Sequence, residues 1–238
     1  MTTPGYMLNY HVSAMWHPRG EPREQCAARA FKWFALMREC DPGFAQWFLK
    51  GDTTAEALQH RVDLDANVFA SLLNESGVLG HRWFYVGIWN GLEGDQGCAV
   101  SFHVGSTDPQ GLESVAFEAP WEAGPLTDRL VTTAGLSAIL RSLVLAWDPE
   151  EGVAYTSQLV EAMMSWPREE RLGWINYYAS SRGPIPPLPP PVRTEPVEDK
   201  GTLIILGDEK LSGANPAHVA LVQEVSAELK KAGVLKPW

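Results

Sequence analysis

The chain has 238 residues, 45% of them hydrophobic and 20% charged, and a net charge of −10. This balance builds a sizeable core and excludes a disordered chain. It also argues against direct nucleic-acid binding, which needs basic patches and aromatic platforms in a positive groove. In chain order, residues 6–16 alternate and are rich in β-formers, predicting a first strand. Cys26, Ala30, Trp33, Phe34, Met37 and Cys40 recur at helical spacing. They predict a helix over 22–40, with Pro22 in its first turn and Asp41-Pro42-Gly43 as its stop. Thr53-x-x-Glu56 forms a capping box for a short helix ending near Arg61, and Asp65 caps another through Leu73, with Gly77 beyond.

Strand chemistry follows. Residues 83–89, 97–104 and 114–117 predict an antiparallel meander, with Asn90-Gly91 as a turn. A second long helix is expected from Thr127-Asp128 to Asp148-Pro149, then a short helix over 158–164 and a strand over 174–178. Residues 183–192, Gly-Pro-Ile-Pro-Pro-Leu-Pro-Pro-Pro-Val, predict an extended polyproline stretch. A strand over 202–206 precedes a last helix that Asn215-Pro216 starts and Gly233 ends, with Lys230 and Lys231 where its dipole favours cations. Strands and helices mix without βαβ alternation, so the fold class is α+β: an antiparallel sheet with helices packed on it. The proline run is expected to be a strut across a single domain over 1–238; a linker between two domains is the alternative.

Three cysteines at irregular spacing form neither a disulfide framework nor a zinc motif. Cys26 and Cys40 would lie about 21 Å apart along their helix, beyond disulfide reach. Reduced thiols in a cytoplasm are the expectation. The first residues lack the pattern of a secretory signal, and no run of about 18 uncharged apolar residues offers a membrane span.

Recognisable chemistry is sparse. Gly91, Gly94 and Gly97 have the wrong spacing for a nucleotide loop, and neither a GxSxG elbow nor an HExxH helix occurs. Asp63 and Asp65 suit an acid/base pair or, more simply, a helix cap. Pro187 and Pro190 make a PxxP, but Arg193 lies one residue too far for the usual basic anchor. No catalytic residue, metal ligand or cofactor is assigned. The alternative from another class is a small-molecule hydrolase assembled from scattered histidines and carboxylates, around His11 and His103 in their predicted strands.

Charge distribution carries more. Between Trp83 and Pro167 stand eleven acids (Glu93, Asp95, Asp108, Glu113, Glu118, Glu122, Asp128, Asp148, Glu150, Glu151 and Glu161) against Arg129 and Arg141. Crowded like charge weakens the compact state, and a basic partner would offset it. The candidate partner-binding residues are Asp148, Glu150 and Glu151 just past a helix end, where acids suit the dipole poorly. Beside them stand Glu93 and Asp95 in the hairpin loop, and Glu118 and Glu122 flanking Trp121 as an apolar anchor.

Trp89-Asn90-Gly91, Trp147-Asp-Pro-Glu150 and Asn215-Pro-Ala-His218 with Leu229 and Ala232-Gly-Val-Leu235 make the chain similar to the bacterial immunity protein 52 family. Arg23-Glu24, Cys26-Ala27, Arg29, Asp41-Pro42, Trp47-Phe48 and Gly51 extend the likeness, which runs from about residue 10 to the end. The resemblance implies a cytoplasmic α+β antitoxin of polymorphic or type VI secretion systems. Its partner would be a cognate toxin carrying a restriction-endonuclease-like nuclease domain. The resemblance supplies no catalytic residues, and the proline run matches nothing in it. Nuclease surfaces are basic because they hold phosphates, so an acidic inhibitor fits them electrostatically.

Overall fold

A computed structural model of the chain describes residues 9–63, 65–120, 122–163 and 172–238. Ten antiparallel strands form one sheet: β1 (Tyr10–Trp16), β2 (Phe48–Leu49), β3 (Asn74–Val78), β4 (His81–Trp89), β5 (Ala99–Val104), β6 (Glu113–Glu118), β7 (Glu151–Thr156), β8 (Ile175–Ala179), β9 (Arg193–Val197) and β10 (Gly201–Ile205). Their order is β2-β4-β5-β6-β1-β7-β8-β10-β9, and β3 also pairs with β4. The α+β class stands, and so does the meander from β4 to β6, which β3 extends by one strand not expected from the sequence.

The helices are α1 (Arg23–Cys40), α2 (Thr54–Ala57), α3 (Ala66–Leu72), α4 (Pro125–Leu130), α5 (Thr133–Trp147), α6 (Ser157–Ala162) and α7 (Pro216–Lys231). Tyr10, Val12, Ala14 and Trp16 alternate onto one buried sheet face, the period-2 geometry of a strand. That face meets α1 and α5. The stripe on α1 is buried through Cys26, Ala30, Trp33, Phe34 and Met37. Trp33 Nε1 donates to Ser142 Oγ of α5 at 2.9 Å, so the buried indole keeps a partner. Trp16 stacks on Trp147 at 5.5 Å, and Phe102 packs against Trp33, Phe34, Phe69 and Trp147. Such aromatic contacts add to the large apolar burial. β8 and β10 are buried along nearly their whole length, so both of their faces are covered. From β1 to β4, the face turned away from α1 and α5 is only half-buried to exposed.

Local chemistry sets the element ends. Pro22 is the residue before α1, Thr53 Oγ1 accepts from Glu56 N, Asp65 Oδ1 accepts from Asn67 N and Val68 N, and Asn215 Oδ1 accepts from Ala217 N. The three cysteines are free, and burial pushes the Cys26 thiol up to about 12 and Cys40 to about 11. Among the described residues no helix is long and apolar enough to cross a membrane.

Several expectations need correction. The helix expected over 127–148 is two helices, because Thr132 Oγ1 accepts from Gly135 N at 3.0 Å and starts α5 anew. Gly77 lies beyond α3 as expected, but within a strand, β3, where Ser76 faces Trp83. β7 and β9 were not expected from the sequence. β7 opens on an acidic pair, and β9 contains Pro196, which an edge strand tolerates. Of the first strand, residues 6–8 lie outside the described residues, as does residue 164 of the short helix. The proline run forms neither helix nor strand, but it is not extended to its end. It turns at Pro190-Pro191, where Val192 N donates to Pro189 O at 3.0 Å, and Ile185, Leu188 and Val192 pack against the core.

Candidate partner-binding site

Registers on the open face place one residue of each strand in a single cross-strand row. Tyr155, His11, Glu118, Ala99, Trp89 and Phe48 follow one another across β7, β1, β6, β5, β4 and β2. His11 stacks on Tyr155 at 5.2 Å, and Phe48 leans on Trp89 at 6.5 Å. Ala99 is the one small side chain of the row, and the space above it is the floor of a groove of about 570 Å³. Trp89 lines one side, and Glu118 and His11 the other.

The β4–β5 loop borders the groove. Asn90, buried, accepts from Cys98 N with Oδ1 at 2.9 Å and donates from Nδ2 to Gln96 O at 2.8 Å. It therefore closes the loop upon itself, the self-bonding that suits Asn to turns. Gly91 adopts φ +78°, and a Cβ there would run into the Phe48 ring, so only glycine fits. This geometry carries Glu93 and Gly94 to the groove, with Glu122 opposite Gly94. Glu93 accepts from Thr54 Oγ1. Burial lowers the His11 pKa, while the Glu118 carboxylate pulls it the other way. Asp95 is half-buried with its side chain against Gly124, outside the groove lining. Trp121 lies outside the described residues.

Among the described residues Glu93, Asp95, Glu118 and Glu122 make no ion pair. Lys50 lies over Gly87, two residues along β4 from Trp89, without pairing with any of them.

The other candidates sit elsewhere and are neutralised. Asp148, at φ +52°, ends α5, and its Oδ1 is 2.9 Å from Lys200 Nζ. Arg19 donates to the Trp147 and Asp148 carbonyls. Glu150 Oε1 is 2.9 Å from His17 Nδ1, and its Oε2 is 3.4 Å from Arg182 Nη2. Glu151 is buried, with Oε1 3.0 Å from Arg182 Nη1. The Trp238 ring covers Arg182 at 4.7 Å. Burial works against the Glu150 charge, yet the His17 N–H and ring together with Arg182 hold its pKa below the usual range. For Glu151 burial wins over Arg182 and pushes it up to about 7. Glu151 is therefore a structural acid and not a surface one.

The acidic stretch is thus sorted by the fold. Glu113 is buried, accepting from Trp16 Nε1 at 2.6 Å and from Ser106 N at 2.8 Å. Asp108 closes its own turn on Gln110 N, and Asp128 and Glu161 stand exposed on α4 and α6. Glu93, Glu118 and Glu122 converge on one concavity, with Asp95 in the loop that borders it, whereas Asp148 and Glu150 line another that Arg19 and Lys200 share.

His11 and His103 do not meet. They pair with Glu118 and Ser114 of β6, four residues apart and so about 13 Å along the strand. Asp65 is committed to its helix cap. Among the described residues no three His, Cys, Asp or Glu are grouped to hold a metal. Trp89 and Ala99 entered no sequence-based list of site residues. Alternation within each strand marks their face, but only the register brings them together.

Fold and site together define an α+β protein with a preformed acidic groove on the open face of its sheet. The model of the immunity protein 52 family matches residues 9–238, and the chain belongs to that family. Membership makes immunity its function class and implies a cognate toxin as its partner. No curated protein matches the chain. A solved Pseudomonas aeruginosa T6SS protein is similar at 11% identity and a TM-score of 0.48, over 93% of this chain and 73% of that one.

Proposed function

We propose that the protein neutralises a basic toxin, a restriction-endonuclease-like nuclease, by docking the acidic groove of its open sheet face against the toxin's phosphate-binding surface. The observation that carries this reading is the set of carboxylates at Glu93, Glu118 and Glu122, without a cation of their own among the described residues, around a concave site built on the four strands β1, β6, β5 and β4. Unpaired carboxylates at a rim speed association with a cationic target, and those that become desolvated against its charges hold it. Binding without turnover, in the cytoplasm of the producing cell and beside a type VI or other polymorphic delivery system, is the setting the family likeness supports. The unbroken sheet and the family match over 9–238 favour one domain.

The test is binding of the nuclease domain encoded by the neighbouring gene, measured calorimetrically over a salt series, together with rescue on co-expression. The expected result is tight binding that weakens with salt and falls about 100-fold or more in E93K/E118K/E122K. Salt-independent binding, or full rescue by the triple variant, would remove the groove from the interface.

A further inference from the structure

We infer that the groove is a slot for a single arginine side chain, which the toxin inserts between the Trp89 indole and the Glu118 carboxylate. This rests on the reading of the groove as the toxin-binding site and specifies what enters it. Three features of the row carry the inference. Trp89 offers an aromatic wall, and a guanidinium stacks on such a wall better than an ammonium does. Glu118 lies across from it in the same row with only Ala99 between, so the slot is one residue wide. Glu93 and Glu122 approach from the loop side, giving the guanidinium's several N–H groups carboxylates in more than one direction.

Two residues of the lining add an independent sign through a polar atom each. Trp89 Nε1, a donor, and Asn9 Oδ1, an acceptor, are shielded from solvent without a hydrogen-bond partner among the described residues. A buried polar atom without a partner is costly, and complexes supply such partners. An arginine with its own backbone carbonyl brings donors and an acceptor together. A lysine would satisfy the charge but neither the planar wall nor the spread of acceptors.

N-acetyl-arginine amide, its lysine counterpart and its uncharged citrulline counterpart serve as probes on the intact protein. The readout is the Trp89 indole N–H resonance, assigned by its loss in W89F. Arginine is expected to shift it saturably and to bind about tenfold tighter than lysine, with no response to citrulline. Glu118→Gln should weaken the arginine response, and Ala99→Leu, which fills the floor and leaves every carboxylate in place, should abolish it. Thermal melts of both variants check that the fold persists. Equal responses to arginine and lysine, no response to arginine, or an arginine response surviving Ala99→Leu would each overturn the slot. Toxin binding that needs the groove charges but ignores Ala99→Leu would sink the slot and leave the functional reading standing. Toxin binding indifferent to those charges would sink the functional reading instead.

Discussion

Two acidic clusters of this protein look alike in the sequence and differ in the fold. Asp148, Glu150 and Glu151 form a knot around Arg182, His17 and Lys200, roofed by Trp238. Glu93, Glu118 and Glu122 surround a groove and have no cation among the described residues. The knot has its counter-charges inside the molecule and holds together the turn between α5 and β7, where Glu150 N donates to Met15 O and Ala179 N to Glu150 O. In the proposed function the groove leaves its charges to the toxin. Charge at the knot should therefore be read out in stability, and charge at the groove in binding.

The largest expected effect is at the centre of the knot. Arg182→Met leaves Glu150 and buried Glu151 without their shared cation, and urea unfolding at pH 8 should show a loss of about 3–5 kcal/mol. Toxin affinity of the folded fraction should not change. A loss under about 1 kcal/mol would mean that the knot is solvated like the groove.

Next is a pH effect with a definite sign. Folding raises Glu151 from 4.5 to about 7, so between those values the folded state binds the proton that the unfolded state has released. Its contribution to stability therefore declines as pH rises from about 4.5 to about 7, by on the order of 3 kcal/mol. Glu150, held below its ordinary value, acts oppositely: its contribution is present above about 4.5 and is lost as pH falls through its lowered pKa. In stability–pH curves Glu151→Gln should flatten the decline toward neutrality and leave the acid limb. An unchanged curve would show that Glu151 is ionised throughout.

The smallest effect is at the rim of the knot. Asp148 and Lys200 pair at the surface, so Lys200→Ala should cost no more than about 1 kcal/mol, and less at high salt. A cost like that of Arg182→Met would make the knot a single unit, without a distinct inner and outer part.

The elements easiest to read in the sequence were those whose ends are set locally. The stripe from Cys26 to Cys40, the caps at Asp65 and Asn215 and the strand around Trp83 to Trp89 all stand where periodicity and cap chemistry put them. β7 was hidden because it begins at Glu151, an acid whose burial depends on Arg182, 31 positions further on. The same distance effect misleads a local charge count. Trp147-Asp-Pro-Glu-Glu151 looks uncompensated until His17, Arg182 and Lys200 arrive from other elements. The groove was legible only in part. Glu93, Glu118 and Glu122 were picked out by their charge, but Trp89 and Ala99 become their neighbours only through the registers of β1, β6, β5 and β4.

The division of labour between the clusters is tested most directly by one pair of affinities for the same nuclease domain at one salt concentration. They are those of E93K/E118K/E122K and of D148K/E150K, each corrected for its folded fraction. The groove variant should lose about 100-fold or more, and the knot variant should stay within about threefold of the wild type while losing stability. The opposite ranking would place the toxin on the knot and contradict the account.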